Sequence, residues 1–253
     1  MTRGGGVDAP GSGTARRRST STLVLIGLSA GLVFLGFLAL GTWQVQRLGW
    51  KRDLIARVEA RVHAPPGAPP ARSDWPRLGA AADEYRHVLL EGCFLPRADT
   101  LVQAVTERGG GSWVMTPLRL ADGALVLVNR GFVPLEAKDP AAWAPPEGAV
   151  TVTGLLRLPE PGGAFLRAND PAAGRWYSRD VAAIAAARGL PEVAPYFVDA
   201  DARGDEGLPV GGLTVIAFPN NHLVYAITWY ALALMVAAGF AYLLRYERRL
   251  RAA

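Results

Sequence analysis

Asn220-Asn221-His222-Leu223-Val224-Tyr225-Ala226-Ile227-Thr228-Trp229 opens a hydrophobic segment that runs to Leu244, and no charged side chain lies between Leu223 and Leu244. At about 1.5 Å per helical residue, such a segment crosses the roughly 30 Å hydrocarbon core of a bilayer. It reads as a transmembrane helix with His222 at its mouth. His222, Tyr225, Ala226 and Trp229 stand at i, i+3, i+4 and i+7, so an imidazole, a phenol, a small gap and an indole share one helix face. That strip can hold a flat aromatic ligand. It equally suits an interfacial belt, where Trp and Tyr gather and a helix-end histidine meets water or headgroups.

A second apolar stretch, Thr20 to Gln46, is densest from Leu23 to Leu40. It exceeds the length of a signal-peptide core, and Thr42-Trp43-Gln44 is a poor small-residue cleavage site, so a retained first span is expected. The expected organisation is a disordered tail over 1–19, a first transmembrane helix over 20–46, an extracytoplasmic domain over 47–219, a second transmembrane helix over 220–244 and a basic tail over 245–253.

The formal charge of +5 is not spread along the chain. Arg3, Arg16, Arg17 and Arg18 face only Asp8 before the first span, and Arg245, Arg248, Arg249 and Arg251 face only Glu247 after the second. The region between is almost neutral. Basic charge confined to membrane flanks argues against nucleic-acid binding and for both ends on the cytoplasmic side of the membrane, with the middle outside. The short segment after Leu244 disfavours a sensor with an output domain.

Cys93 is the single cysteine, which rules out a disulfide within the chain and suggests a buried thiol. His63 and His87 have no partner at metal-ligand spacing, and no phosphate loop or nucleophile motif is present. The chain is therefore read as a non-enzyme. Gly109-Gly110-Gly111 reads as a flexible hairpin loop.

The first span carries Gly27 and Gly31 at small-xxx-small spacing, with Gly36 and Gly41 beyond, a pattern that permits close approach of another helix. At its outer end Trp43, Arg47 and Trp50 share a face. They form either an aromatic belt with a snorkelling arginine or a cation placed near His222 for a carboxylate. Trp50, Leu54, Val58 and Val62 then keep an amphipathic rhythm until Pro65-Pro66, and Ala64 to Arg72 reads as a linker.

From Tyr85 onward, short apolar runs alternate with turn residues. Tyr85–Leu90, Thr100–Thr106, Trp113–Leu120, Ala124–Val133, Val150–Leu158, Tyr196–Asp199 and Leu213–Phe218 read as strands, with Ala121-Asp122-Gly123 a hairpin turn. One helix, Arg179 to Arg188, is stopped by Gly189. The expected fold is an α+β membrane protein, with two transmembrane helices flanking a mostly antiparallel β domain that is partly closed or barrel-like and carries one helix. In Asn129-Arg130-Gly131-Phe132-Val133-Pro134, Gly131 suits a bulge and Arg130 either a structural ion pair or an anion anchor.

Three separated motifs coincide: Leu40-Gly41-Thr42-Trp43-Gln44-Val45-Gln46-Arg47 with Trp50-Lys51, Val128-Asn129-Arg130-Gly131-Phe132-Val133-Pro134, and the Asn220–Trp229 stretch. With two terminal spans around one domain, the chain from about residue 23 to 248 closely resembles the Surfeit-locus family of cytochrome c oxidase assembly factors. Phe132 stands where a tryptophan is frequent in that family, which keeps an aromatic. The resemblance implies help in maturing the haem-copper subunit of a terminal oxidase, with haem a bound through the second-helix histidine. It makes His222 the candidate axial ligand of the iron, lined by Tyr225 and Trp229. Arg47 and Trp43 fall in the first motif and join the candidate set on membrane depth. Cytochrome c oxidase subunit I, the haem a synthase and the lipid bilayer are the implied partners. A non-haem scaffold for an oxidase intermediate is the alternative.

Overall fold

The computed structural model describes residues 18–164, 166–204, 207–216 and 218–252. The expected tail over 1–19 lies almost wholly outside the described residues. The chain divides into two compact units, one made of residues up to Asp53 together with those from Pro219 on, the other of Leu54–Phe218.

The first unit is a pair of helices, the greater part of α1 (Thr20–Val62) and all of α4 (His222–Ala252). Their most apolar windows have mean hydropathy of 2.6 and 1.9, and both helices are long and apolar enough to cross a bilayer. α1 has no interior proline and runs unbroken past Gln46 until the turn before Pro65-Pro66. The continuation over residues 51–62 belongs to the amphipathic stretch read above, and Val58 is buried. α4 likewise continues through its arginines to Ala252.

The helices are antiparallel, and their seam can be followed from end to end. His222 meets Gln44, Tyr230 lies over Gly41 and hydrogen-bonds Thr42, Trp229 stacks on Phe37, and Phe240 lies over Gly27. Arg18 pairs with the buried Glu247 at 3.3 Å. The glycines thus seat aromatic rings rather than bare backbone, and a Cβ at Gly27 would stand 2.9 Å from the Phe240 ring. A Cβ at Gly31 or Gly36 would meet nothing within 4 Å. Of the expected small-residue positions, Gly27 and Gly41 serve the seam within this chain.

The second unit is built on a closed ladder. Its strands are β1 (His87–Phe94), β2 (Thr100–Thr106), β3 (Gly109–Leu120), β4 (Leu125–Pro134), β5 (Ala149–Arg157) and β8 (Val193–Ala200), with a two-stranded ribbon β6–β7 (Gly163–Ala164, Arg167–Ala168) outside the main sheet. β1 pairs with β5 along one edge and with Leu118–Leu120 of β3 along the other, so the order β1-β5-β8-β4-β3 returns to β1. Among the pairings of these described strands, only β4–β8 is parallel. β2 extends the sheet from the N-terminal part of β3. The expected mostly antiparallel, barrel-like α+β domain is the observed one.

Closure sorts the side chains. Val88 and Leu90 of β1, Leu118 of β3, Val126 and Val128 of β4, Leu156 of β5 and Tyr196 and Val198 of β8 form one core, each 0–1% exposed. Burial of one such aliphatic side chain contributes about 1.5–3 kcal/mol. On the other face Met115, Leu127 and Phe197 pack beneath Val181 and Ile184 of α3 (Val181–Arg188). Asp180 caps α3 by accepting from Ala183 N–H at 3.1 Å, and Gly189 ends it in the left-handed conformation. The segment after α1 is more than a linker. Gly67 bridges Val88, and short turns at Arg72–Arg77 and Ala80–Asp83 (α2) set Trp75 and Leu78 on the barrel core.

Four expectations are corrected. Cys93 is exposed because strand alternation puts it on the outer side of β1 with Glu91, opposite Val88 and Leu90. The glycines at 109–111 belong to β3, since the hairpin turn is Glu107-Arg108 and Thr106 pairs with Gly109; Gly111 lies under the Phe132 ring. Arg179 lies outside α3, drawn into an ion cluster. Among the described residues, Leu213–Phe218 forms no strand, and Ala217 is not described. Val210 makes a two-bond bridge with Phe132, after which Gly211 and Gly212, the latter at φ +71°, turn the chain off the ladder.

Two buried charge networks tie the barrel together. Asp199, 3% exposed, accepts from Asn129 (2.7 Å), Arg157 (3.0 Å), Arg179 (3.0 Å) and Thr214 (3.0 Å), so its carboxylate joins β4, β5, α3's approach and the return segment. The second forms at a bulge in β4, where Arg130 and Gly131 together oppose the single residue Val114 of β3. Gly131, at φ +134°, lies against the Val210 carbonyl, where a Cβ would collide. Arg130, 2% exposed, donates to Thr116 Oγ1 at 2.8 Å and to the Trp143 carbonyl, and sits 3.7 Å from Asp99.

Gly131→Ala is expected to destabilise the protein by at least the roughly 1–3 kcal/mol of a residue forced into that conformation. Gly110→Ala, at an exposed position near 3.4 Å from its closest neighbour, is expected to change little. Chemical denaturation of the detergent-solubilised chain checks the pair; equal midpoints would show that the Val210 segment yields freely.

His87 supplies a pH signature. Nδ1 is 2.8 Å from the Ala64 carbonyl and Nε2 is 2.7 Å from Asp201, two acceptors that only an imidazolium can satisfy at once. Burial disfavours that cation, yet Asp201 and Ala64 hold its pKa above the ordinary value. A raised folded-state pKa gives stability that is full below the unfolded value of about 6.5 and lost as pH rises through the folded one. The stability difference between wild type and His87→Gln is thus expected to be larger at pH 5.5 than at pH 8.5. A pH-independent difference would remove His87 as the cause.

Candidate functional site

The mouth of α4 is set by a hydrogen bond between side chains. His222 is the first residue of α4, and its Nδ1 lies 2.8 Å from Gln44 Oε1 on α1. An amide oxygen only accepts, so Nδ1 carries the hydrogen. In the neutral ring Nε2 then keeps its lone pair. A second-sphere acceptor on one imidazole nitrogen, orienting the ring and leaving the other nitrogen basic, is the arrangement metal-binding histidines use.

The residues expected beside His222 divide into two groups. Ala226 and Trp229 turn toward α1: Ala226 is 2% exposed, and the Trp229 indole stacks on Phe37 with centroids 5.6 Å apart and planes 29° from parallel. Tyr225 is 54% exposed and stands off the seam. The strip that helical spacing aligned is thus partly occupied by α1, with Tyr225 at its open edge.

On α1 the seam runs through Phe37, Gly41 and Gln44, while Arg47 lies one turn beyond Gln44 at the outer end. Arg47 is exposed, and its guanidinium lies 4.1 Å above the Trp50 ring. Trp43 is 54% exposed on the same side. A cation and two indoles therefore stand near the level of His222, on a face rotated from the seam by roughly 60° for Arg47. Arg130 and Gly131 belong to the β barrel described above.

Sequence reasoning missed three participants. Gln44 was visible as a member of the outer cluster, but its role as partner of His222 was not. Phe37 and Tyr230 lacked any signal in isolation. The antiparallel register supplies one, since stepping down α1 from Gln44 while climbing α4 from His222 brings Phe37 to Trp229 and Gly27 to Phe240. Among the described residues, no group of three or more His, Cys, Asp or Glu side chains could enclose a metal ion. A metal at His222 would have to come within a larger ligand that supplies its remaining donors.

Comparison with known proteins bears on the whole arrangement. The model of the SURF1 family matches residues 31–234, which takes in all three motifs. Surfeit locus protein 1 of Homo sapiens is 38% identical over 216 residues, covering 77% of this chain and 69% of its own. The Rattus norvegicus protein of the same name is 36% identical over 231 residues, covering 83% and 72%. A SURF1-like protein of Monosiga brevicollis is 38% identical over 223 residues, covering 81% and 82%. With two apolar terminal helices, a β domain between them and a match of this extent, the chain belongs to the SURF1 family.

Proposed function

We propose that this protein is an assembly factor for the haem-copper subunit of cytochrome c oxidase and that it holds haem a as cargo through His222. The observation that carries the reading is the His222–Gln44 hydrogen bond, which leaves Nε2 free as an axial donor to iron. Tyr225 and Trp43, both exposed near the level of His222, offer aromatic surface, and Arg47 offers a cation at similar depth for a carboxylate. Haem a, when bound, would supply the iron; His222 Nε2 would hold it, Arg47 would meet a carboxylate, and the apolar helix would shelter the ring. Cytochrome c oxidase subunit I is the proposed recipient and the haem a synthase the proposed donor.

The proposed location is a bacterial inner membrane, with both termini cytoplasmic and the β domain on the outer side. Arginines flanking each apolar helix support it. A second reading, a scaffold that holds an oxidase intermediate without haem, draws on Trp229, whose ring is already covered by Phe37.

Haem-to-protein ratio and Soret position, measured on variants purified from a host that makes haem a, separate the two. His222→Ala is expected to abolish bound haem without loss of membrane insertion. Gln44→Leu keeps the ligand but frees its ring, and is expected to weaken retention by about 10–100-fold, the usual cost of a lost second-sphere partner. Haem retained by His222→Ala with an unshifted Soret band would leave the scaffold reading.

A further inference from the structure

The barrel has an opening that neither its folding nor the haem reading uses. Where β1 and β8 end and β5 begins, a cavity of about 230 Å³ is lined by Phe94, Val128, Arg130, Val150 and Val152, with Asp201 and Arg203 also on its wall. That volume is several times the ~30 Å³ share of one water, so a single bound water does not fill it.

The Arg130 side chain is the exceptional feature. Nε and Nη2 are committed to Thr116 and the Trp143 carbonyl, whereas Nη1 is buried and has no hydrogen-bond partner among the described residues. A buried guanidinium nitrogen without an acceptor is costly unless something outside the chain supplies one. The acids nearby are already engaged. Asp99 receives the Thr116 hydroxyl and lies 3.7 Å from Nη2, and Asp201 accepts from His87. Burial lowers the Arg130 pKa to about 10, with Arg203 adding to the depression against Asp99, which leaves it cationic at neutral pH.

We propose that this cavity binds a carboxylate carried on a short aliphatic stem, with Arg130 Nη1 as the buried contact, Arg203 as the outer one and Phe94, Val128, Val150 and Val152 around the stem. One free nitrogen and one exposed cation suit the single negative charge of a carboxylate better than an inorganic dianion, and Phe94 with the three valines gives an aliphatic stem apolar contacts on a wall that also holds Asp201, itself paired with His87. The source is either a free organic acid or the end of a polypeptide.

The test uses the full chain in detergent and its unfolding midpoint, titrated with sodium butyrate, sodium phosphate and sodium chloride at matched ionic strength. Butyrate is expected to raise the midpoint saturably, and chloride and phosphate not. Arg203→Gln, on an exposed loop after β8, is expected to fold normally and to weaken the butyrate response about tenfold, equivalent to about 1.4 kcal/mol. A tripeptide with a free C-terminal carboxylate and its amide then separate the sources: tighter binding of the acid than of butyrate assigns a polypeptide end, weaker binding a small acid. A response absent for butyrate, equal for chloride or phosphate, or unchanged in Arg203→Gln overturns the proposal and leaves the cavity to water.

Discussion

β1 pairs on both of its edges, with β5 over its length and with β3 at its end, and the architecture of the β unit depends on that double use. An open five-stranded sheet would leave two rows of unpaired backbone groups and one uncovered apolar face. Closing the ladder gives one apolar set an enclosed interior and turns the other outward, where α3 covers it. Gly67 adds a short bridge to β1 where β3 no longer reaches it.

A barrel this small has little room for charge, yet it buries Asp199 and Arg130. Removing one partner from such a network costs several kcal/mol because the other charge is left uncompensated. Asp199 is fully provided for: two arginines, an amide and a hydroxyl converge on it. Arg179 stands between Asp199 and Glu160; burial alone would lower its pKa, and the two carboxylates hold it above the ordinary value. Arg130 is different, since the bulge that Gly131 permits turns it inward with one nitrogen unmatched. The same glycine that lets the return segment approach β4 thus also fixes the charge at the barrel mouth.

In the helix pair the corresponding polar contact is His222 with Gln44. Apolar surfaces provide no driving force between helices in lipid, so ring-on-glycine seating and a few side-chain hydrogen bonds set the register. That register decides what the mouth of α4 can offer: an oriented imidazole with a free nitrogen, one exposed phenol and a cation one turn away, beside an indole that the seam itself has taken up.

Much of this was legible in the sequence. Two uncharged apolar stretches, the arginines flanking them, period-2 alternation from residue 85 and the Asp122-Gly123 turn each act over a few residues, and local patterns of that kind report local structure. Those patterns alone determined the terminal helices, most strand positions and the place of His222 at the mouth of α4. Only the tertiary structure decided the return of β1 to β3, the exposure of Cys93, the loss of the last expected strand and the pairing of Gln44 with His222. Each of those depends on groups far apart in the chain: Gln44 and His222 are 178 residues apart, and Gly131 and Val210 meet only after the barrel has closed. Helical spacing placed Trp229 below His222, but the stacking of its ring on Phe37 comes from packing between two helices, which no single helix encodes.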